Sequence, residues 1–113
     1  AYTDAKTRTY EEKVREAAKK AMGDSDPIET PVSVYCYVML PVPKSYSKSR
    51  TEACLNGSEK PIKKPDASNV LKSVEDAMNG VVYKDYSQIV NIHVTKVYAS
   101  KSGIDVCVKE CLD

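Results

Sequence analysis

Apolar and small residues recur at Tyr10, Val14, Ala17, Ala18 and Ala21 with the roughly 3.6-residue period of a helix, and Gly23-Asp24-Ser25-Asp26-Pro27 ends the pattern. This predicts an amphipathic helix over 7–22. From Pro31 the period becomes two: Val32, Val34, Cys36, Val38 and Leu40 share one face, and Ser33, Tyr35, Tyr37 and Met39 the other. Apolar content on both faces predicts a strand covered on both sides. Pro41-Val42-Pro43 stops it, because proline donates nothing to a ladder. Periodicity is then lost until Ala53 and Leu55, which predict a short helix closing at Gly57. Residues 58–65 read as an exposed basic connection stiffened by Pro61 and Pro65.

Asp66 precedes a second helical repeat, Val70, Leu71, Val74, Ala77 and Met78, closed by Asn79-Gly80. Its position is that of an N-cap, with the carboxylate expected to accept free backbone N–H groups. Val90, Ile92 and Val94, then Ile104, Val106 and Val108, alternate with polar residues and predict two more strands. The order helix, strand, short helix, helix, strand, strand defines an α/β protein, more narrowly α+β. It is expected to be one domain over 1–113, with helices packed on a small mixed sheet.

Length supports that reading, since 113 residues bury one core. No apolar run approaches the roughly 20 residues of a spanning helix, which excludes a helical membrane anchor within the chain. Seventeen basic against sixteen acidic side chains nearly cancel, so only the distribution of charge is informative. Cations concentrate in the middle: Lys44, Lys48, Arg50, Lys60, Lys63, Lys64 and Lys72 against Glu52, Glu59 and Asp66. An anionic partner is expected there, with the first six cations contacting phosphates. Cys36, Cys54, Cys107 and Cys111 form no C-x-x-C pair, and His93 stands alone, so no zinc frame is present. Cys36 and Cys107 lie in strand-like runs as buried thiols would, which points to a reducing cytoplasm.

The common nucleotide, zinc and acyl-transfer motifs are absent. What remains is carboxylate: Asp66, Asp76 and Asp85, with Asn69 as a neutral oxygen donor, surround the third helix and the turn after it. Such oxygens suit a hard divalent cation, and the spacing of Asp66, Asn69 and Asp76 puts them near one helical face. The same residues also serve as a cap, a solvated helix residue and a turn residue. Tyr46, Tyr83 and Tyr86 are candidates for stacking on unpaired bases, and His93 reads as a strand surface residue.

The run from Lys63 to Val90, KKPDASNVLKSVEDAMNGVVYKDYSQIV, resembles the signature of the RusA family of Holliday junction resolvases, small bacterial and phage-type endodeoxyribonucleases. That pattern reads K-P-D-x-D-N, a helix with a lysine and a D-A-L-x-G end, then a D-D-x-Q-[IV] turn entering a strand. Thr7-Arg8-Thr9-Tyr10 and Pro41 to Ser47 are also similar, so the resemblance spans roughly residues 2 to 110. It implies a structure-specific endonuclease acting on four-way DNA junctions in recombination and repair, as a cytoplasmic homodimer matching the junction's near two-fold symmetry. It further implies Mg²⁺, or Mn²⁺ in its place, held by Asp66, Asp85 and Asp76, with Asp66, Asp85 and Lys72 as the catalytic set.

Two positions depart from the pattern. Ser68 stands where the second K-P-D-x-D-N aspartate belongs, and Tyr86 where the second aspartate of the D-D pair belongs. A hydroxyl and a neutral phenol replace two metal-binding carboxylates, so the alternative is a junction-binding protein that does not cleave. A third reading is an interaction partner in phage or recombination assemblies that binds no DNA. The family's leading strand and arginine-bearing segment, which come ahead of its tyrosine-threonine motif, are not in this sequence; they either lie outside this stretch or are lost, and if lost they are expected to leave a sheet edge unprotected.

Overall fold

Three strands and three helices carry these patterns. A computed structural model describes the backbone of residues 5–111 and the side chains of residues 10–111. Thr7, Arg8 and Thr9 of the sequence motif have side chains outside the described residues. The elements are α1 (Ala5–Met22), β1 (Val32–Pro41), α2 (Lys48–Leu55), α3 (Ala67–Met78), β2 (Ile89–Ala99) and β3 (Gly103–Glu110), with a 3-10 turn at Tyr86–Gln88. The expected α+β class, element order and single small domain are all observed.

β1 is the centre of the sheet, whose order is β2-β1-β3. It pairs in parallel with β2, Cys36 opposite Val94, and antiparallel with β3, Cys36 opposite Val106. The alternation read from sequence sorts the two faces. Val32, Val34, Cys36 and Val38 are buried and form the core with Val70, Val74 and Met78 of α3 and Ala18 of α1. Burying a valine such as Val74 is worth roughly 1.5–2 kcal/mol, so this seam contributes much of the stability of so small a domain. Burial also pushes the Cys36 thiol up to about 11, leaving it protonated and inert at neutral pH.

The opposite face of β1 corrects the expectation of cover on both sides. Ser33 is buried, but Tyr37 is 49% exposed, and Cys107 and His93 on neighbouring strands are exposed as well. Tyrosine tolerates this because its phenol is wet at one end while its ring packs sideways. Here Tyr35 stacks on His93, ring centroids 5.0 Å apart and nearly coplanar, with the Lys109 ammonium 5.5 Å from the Tyr35 ring. His93 is therefore the strand surface residue its position predicts. Cys107 is not the buried thiol its strand context implied, because it lies on that open face.

Helix ends follow the local chemistry. Gly23 adopts φ +56 after α1, a conformation that favours glycine, and its N–H bonds back to the Lys19 carbonyl. Ser47 caps α2 by accepting from the Arg50 N–H at 3.2 Å, and Gly57 at φ +89 follows the helix, close to its expected end. α1 packs along α3, and α2, within the stretch from Pro41 to Asp66, packs against β2.

Candidate nucleic-acid interface

α3 separates two acidic sites that the sequence placed together. At its N-terminal end the Asp66 carbonyl, not its carboxylate, closes the first turn, accepting from the N–H groups of Asn69 and Val70 at 3.1 Å each. The side chain makes no capping bond. It meets only the Asn69 side-chain amide, at 3.5 Å. The expected cap position is observed and the expected carboxylate cap is not. Asp66, Ser68, Asn69 and Lys72 are all exposed at this end.

The C-terminal end is knitted tightly. Tyr83 is fully buried and donates its hydroxyl to the Glu75 carbonyl at 2.8 Å. Burial first, then the nearby Glu75, Asp76 and Asp85 charges, raises its pKa far above the ordinary tyrosine value. Tyr83 is thereby removed from the base-stacking candidates, since its ring belongs to the core. The Asn79 side chain accepts from the Tyr86 N–H at 2.9 Å. Asp85 accepts from the Ser87 N–H at 2.9 Å, and Gln88 accepts in return from the Asp85 N–H at 2.9 Å, a reciprocal capping box. The Gln88 amide also donates to the carbonyls of Ile28 and Thr30 at 2.8 and 2.9 Å, tying the turn to the segment ahead of β1. The Ser87 hydroxyl and backbone N–H hold the Asp85 carboxyl below its usual range.

Asp66 precedes the 12-residue α3, roughly 18 Å long at 1.5 Å per residue, whereas Asp85 lies past its last residue, in the turn that the Asn79 side chain holds to the C-terminal end. Asp76 sits on the last turn, where its backbone carbonyl accepts from the Arg15 guanidinium at 3.2 Å. Among the described residues no three His, Cys, Asp or Glu side chains are grouped so as to hold a metal ion. A Mg²⁺ or Mn²⁺ ion needs several oxygens in one sphere about 2 Å from the metal. Asp66, Asp76 and Asp85 of one protomer do not fit such an ion, since the helix keeps two of them apart and capping engages the third.

The basic loop between β1 and α3 is the second part of the face. Lys44, Lys48, Lys60, Lys63 and Lys64 are exposed, as a phosphate-contacting loop requires. Lys63 is anchored by its carbonyl, which accepts from the Lys96 ammonium. Arg50 behaves differently: its guanidinium lies 3.6 Å from the Tyr46 ring centroid and forks onto Glu59. Of the three candidate stacking tyrosines, Tyr46 is therefore already covered by a cation, and only Tyr86 stands open, 52% exposed. A groove of about 1140 Å³ opens beside this loop between α1 and the sheet. Lys13, Lys63 and Lys64 line it, and Val14, Leu40 and Val106 supply apolar wall.

Three features escaped sequence reasoning. The Asp85-x-x-Gln88 capping box was readable, because the pattern of an N-cap acid followed three residues later by glutamine is a helix-start signal. Glu59 as the partner of Arg50 carries no signal at a spacing of nine residues. The Tyr35–His93 pair requires the β1–β2 register, which sequence alone does not set.

The fold and the site together define a small α+β protein in which exposed Lys63, Lys64 and Asp66 stand at the start of one helix. The chain belongs to the RusA endodeoxyribonuclease family, which matches residues 1–109. It is similar to the uncharacterized protein YqaN of Bacillus subtilis (strain 168), 40% identical over 85 residues. That stretch makes up 74% of this chain and 60% of the relative's length. No helix among the described residues is long and apolar enough to cross a membrane.

Proposed function

We propose that this protein binds four-way DNA junctions through the basic loop and the N-terminal end of α3, and that a single protomer does not carry out metal-dependent cleavage. The observation that carries this reading is the division of the carboxylates. Asp66 is exposed and caps nothing with its side chain, Asp85 is spent on a cap, and the whole of α3, roughly 18 Å long, runs between the two positions in the chain. Lys44, Lys48, Lys60, Lys63 and Lys64 supply the electrostatic affinity, with Lys72 one turn into α3 as a further phosphate contact. A cytoplasmic, bacterial or phage-encoded homodimer suits the substrate, since a two-fold protein presents the same face to both halves of a junction.

The second reading is the family's own activity, Mg²⁺-dependent junction resolution in recombination and repair. It is favoured by the freedom of the Asp66 carboxylate from capping duty. One experiment separates the two: incubation with a labelled four-way junction and a matched duplex, with and without Mg²⁺, scoring complex and nicks together. Junction-selective binding that weakens steeply with salt and yields no product is the expected result. Symmetric Mg²⁺-dependent nicks in the junction alone would establish the second reading instead.

A further inference from the structure

Arg50 is the cation of the basic loop that is held in an ion pair among the described residues. Its Nε donates to Glu59 Oε1 at 3.0 Å and Oε2 at 3.2 Å, and its Nη2 donates to Oε2 at 3.0 Å. The planar fork meets two oxygens of one anion, the arrangement a guanidinium makes with carboxylate and phosphate alike. The other side of the guanidinium is set by Tyr46, whose ring centroid lies 3.6 Å away. Two structural features bring Glu59 there: the turn at Gly57, φ +89, and the bond from the Glu59 N–H to the Ala53 carbonyl at 3.0 Å. Both side chains are open to solvent, 51% for Arg50 and 31% for Glu59, so an incoming anion has access to the fork.

A carboxylate in this place opposes what surrounds it. Lys44, Lys48 and Lys60 are exposed on the same loop and attract polyanions, while Glu59 cancels the residue best shaped to grip one. We infer that Glu59 is an internal stand-in for a DNA backbone phosphate, and that the loop engages DNA by exchanging the Glu59 carboxylate for a phosphodiester on the Arg50 fork. The exchange is one anion for another: no bond to a heavy atom breaks, Glu59 goes into water, and Tyr46 keeps the guanidinium oriented. An exposed pair is weak enough to be opened in this way. Arg50 holds the Glu59 carboxyl below its usual range, so Glu59 is ionised, and competes, throughout the neutral range. The inference rests on the junction-binding reading for the identity of the anion.

The test uses the full chain as wild type, Glu59→Gln, Arg50→Gln with Glu59→Gln, and Glu52→Gln as a control that removes a nearby charge without touching the fork. Inorganic phosphate is titrated while the Arg50 Nε–H resonance is followed by NMR, and junction affinity is measured at several salt concentrations. In Glu59→Gln, phosphate should move the Arg50 resonance at about fivefold lower concentration than in wild type, and junction binding should tighten about three- to tenfold. Its salt dependence should steepen by about one phosphate contact, a slope change near −0.9. The double variant should lose the gain, and Glu52→Gln should show less than about a twofold change.

An Arg50 resonance in folded Glu59→Gln that ignores phosphate would overturn the inference. So would an equal gain in Glu52→Gln, or junction binding in wild type that Glu59→Gln fails to improve. Phosphate capture at Arg50 by Glu59→Gln, with no junction binding by any variant, would overturn the junction reading and leave the phosphate fork standing.

Discussion

The two ends of α3 carry similar sequence and opposite duties. At the N-terminal end Asp66 follows a proline and has one weak side-chain contact. At the C-terminal end Asp85 also opens a helical turn, but its carboxylate, the Gln88 amide and the Asn79 amide are all committed to nearby backbone. The difference is set by local donors. Both backbone carbonyls close their turns, Asp85 accepting from the Gln88 N–H and Asp66 from Asn69 and Val70, but only the Asp85 carboxylate also takes an N–H, that of Ser87. An acidic residue in a motif is available for chemistry only where the backbone does not claim it first.

The strongest blow to this contrast is Gln88→Ala. It removes one bond to the Asp85 N–H and two to the carbonyls of Ile28 and Thr30. Unfolding in urea should show a loss of about 2–3 kcal/mol, near 1 for each bond. Tyr83→Phe comes next, leaving the Glu75 carbonyl without its 2.8 Å partner, and should cost about 1 kcal/mol by the same measurement. Asp66→Asn, at the other end, should change stability by less than about 0.5 kcal/mol. A large effect there would show that its carboxylate is structural after all.

Acid sharpens the comparison further. Asp85 has its folded pKa depressed, so its contribution is fully present above the ordinary carboxylate value and is lost as pH falls through the lower folded value. Thermal melts below about pH 4 should therefore decline less steeply for Asp85→Asn than for wild type. The smallest effect is expected from restoring both departures at once, Ser68→Asp with Tyr86→Asp. The new carboxylates fall at opposite ends of α3, so the variant should bind junctions and still leave them uncut in a nicking assay. Cleavage would mean that the two ends meet between protomers.

Much of the architecture was legible because periodicity reports burial directly. The alternation from Val32 to Leu40 placed β1, and the Val70, Val74 and Met78 spacing placed α3 and its inward face. β2 runs on to Ala99, beyond the predicted strand, because β1 continues to offer partners there, Met39 to Val97 and Leu40 to Tyr98. That extension is a property of the pairing, not of the segment. The candidate site was less legible for the same reason. The exposed loop cations were readable from composition, but the separation of Asp66 from Asp85 follows from where a straight helix ends. The neutralisation of Arg50 follows from a turn that brings Glu59 back to it.

β1 lies between β2 and β3, although those two are consecutive in the chain and β1 is separated from both by α2 and α3. Its apolar face meets α1 and α3, but both of its hydrogen-bonding edges wait for residues beyond Gln88. Elements α1, β1, α2 and α3 all precede the strands that pair with β1, so the long-range pairings of the sheet wait for β2 and β3. A chain stopped before β3 would present the open edge of β1 to any strand that passes.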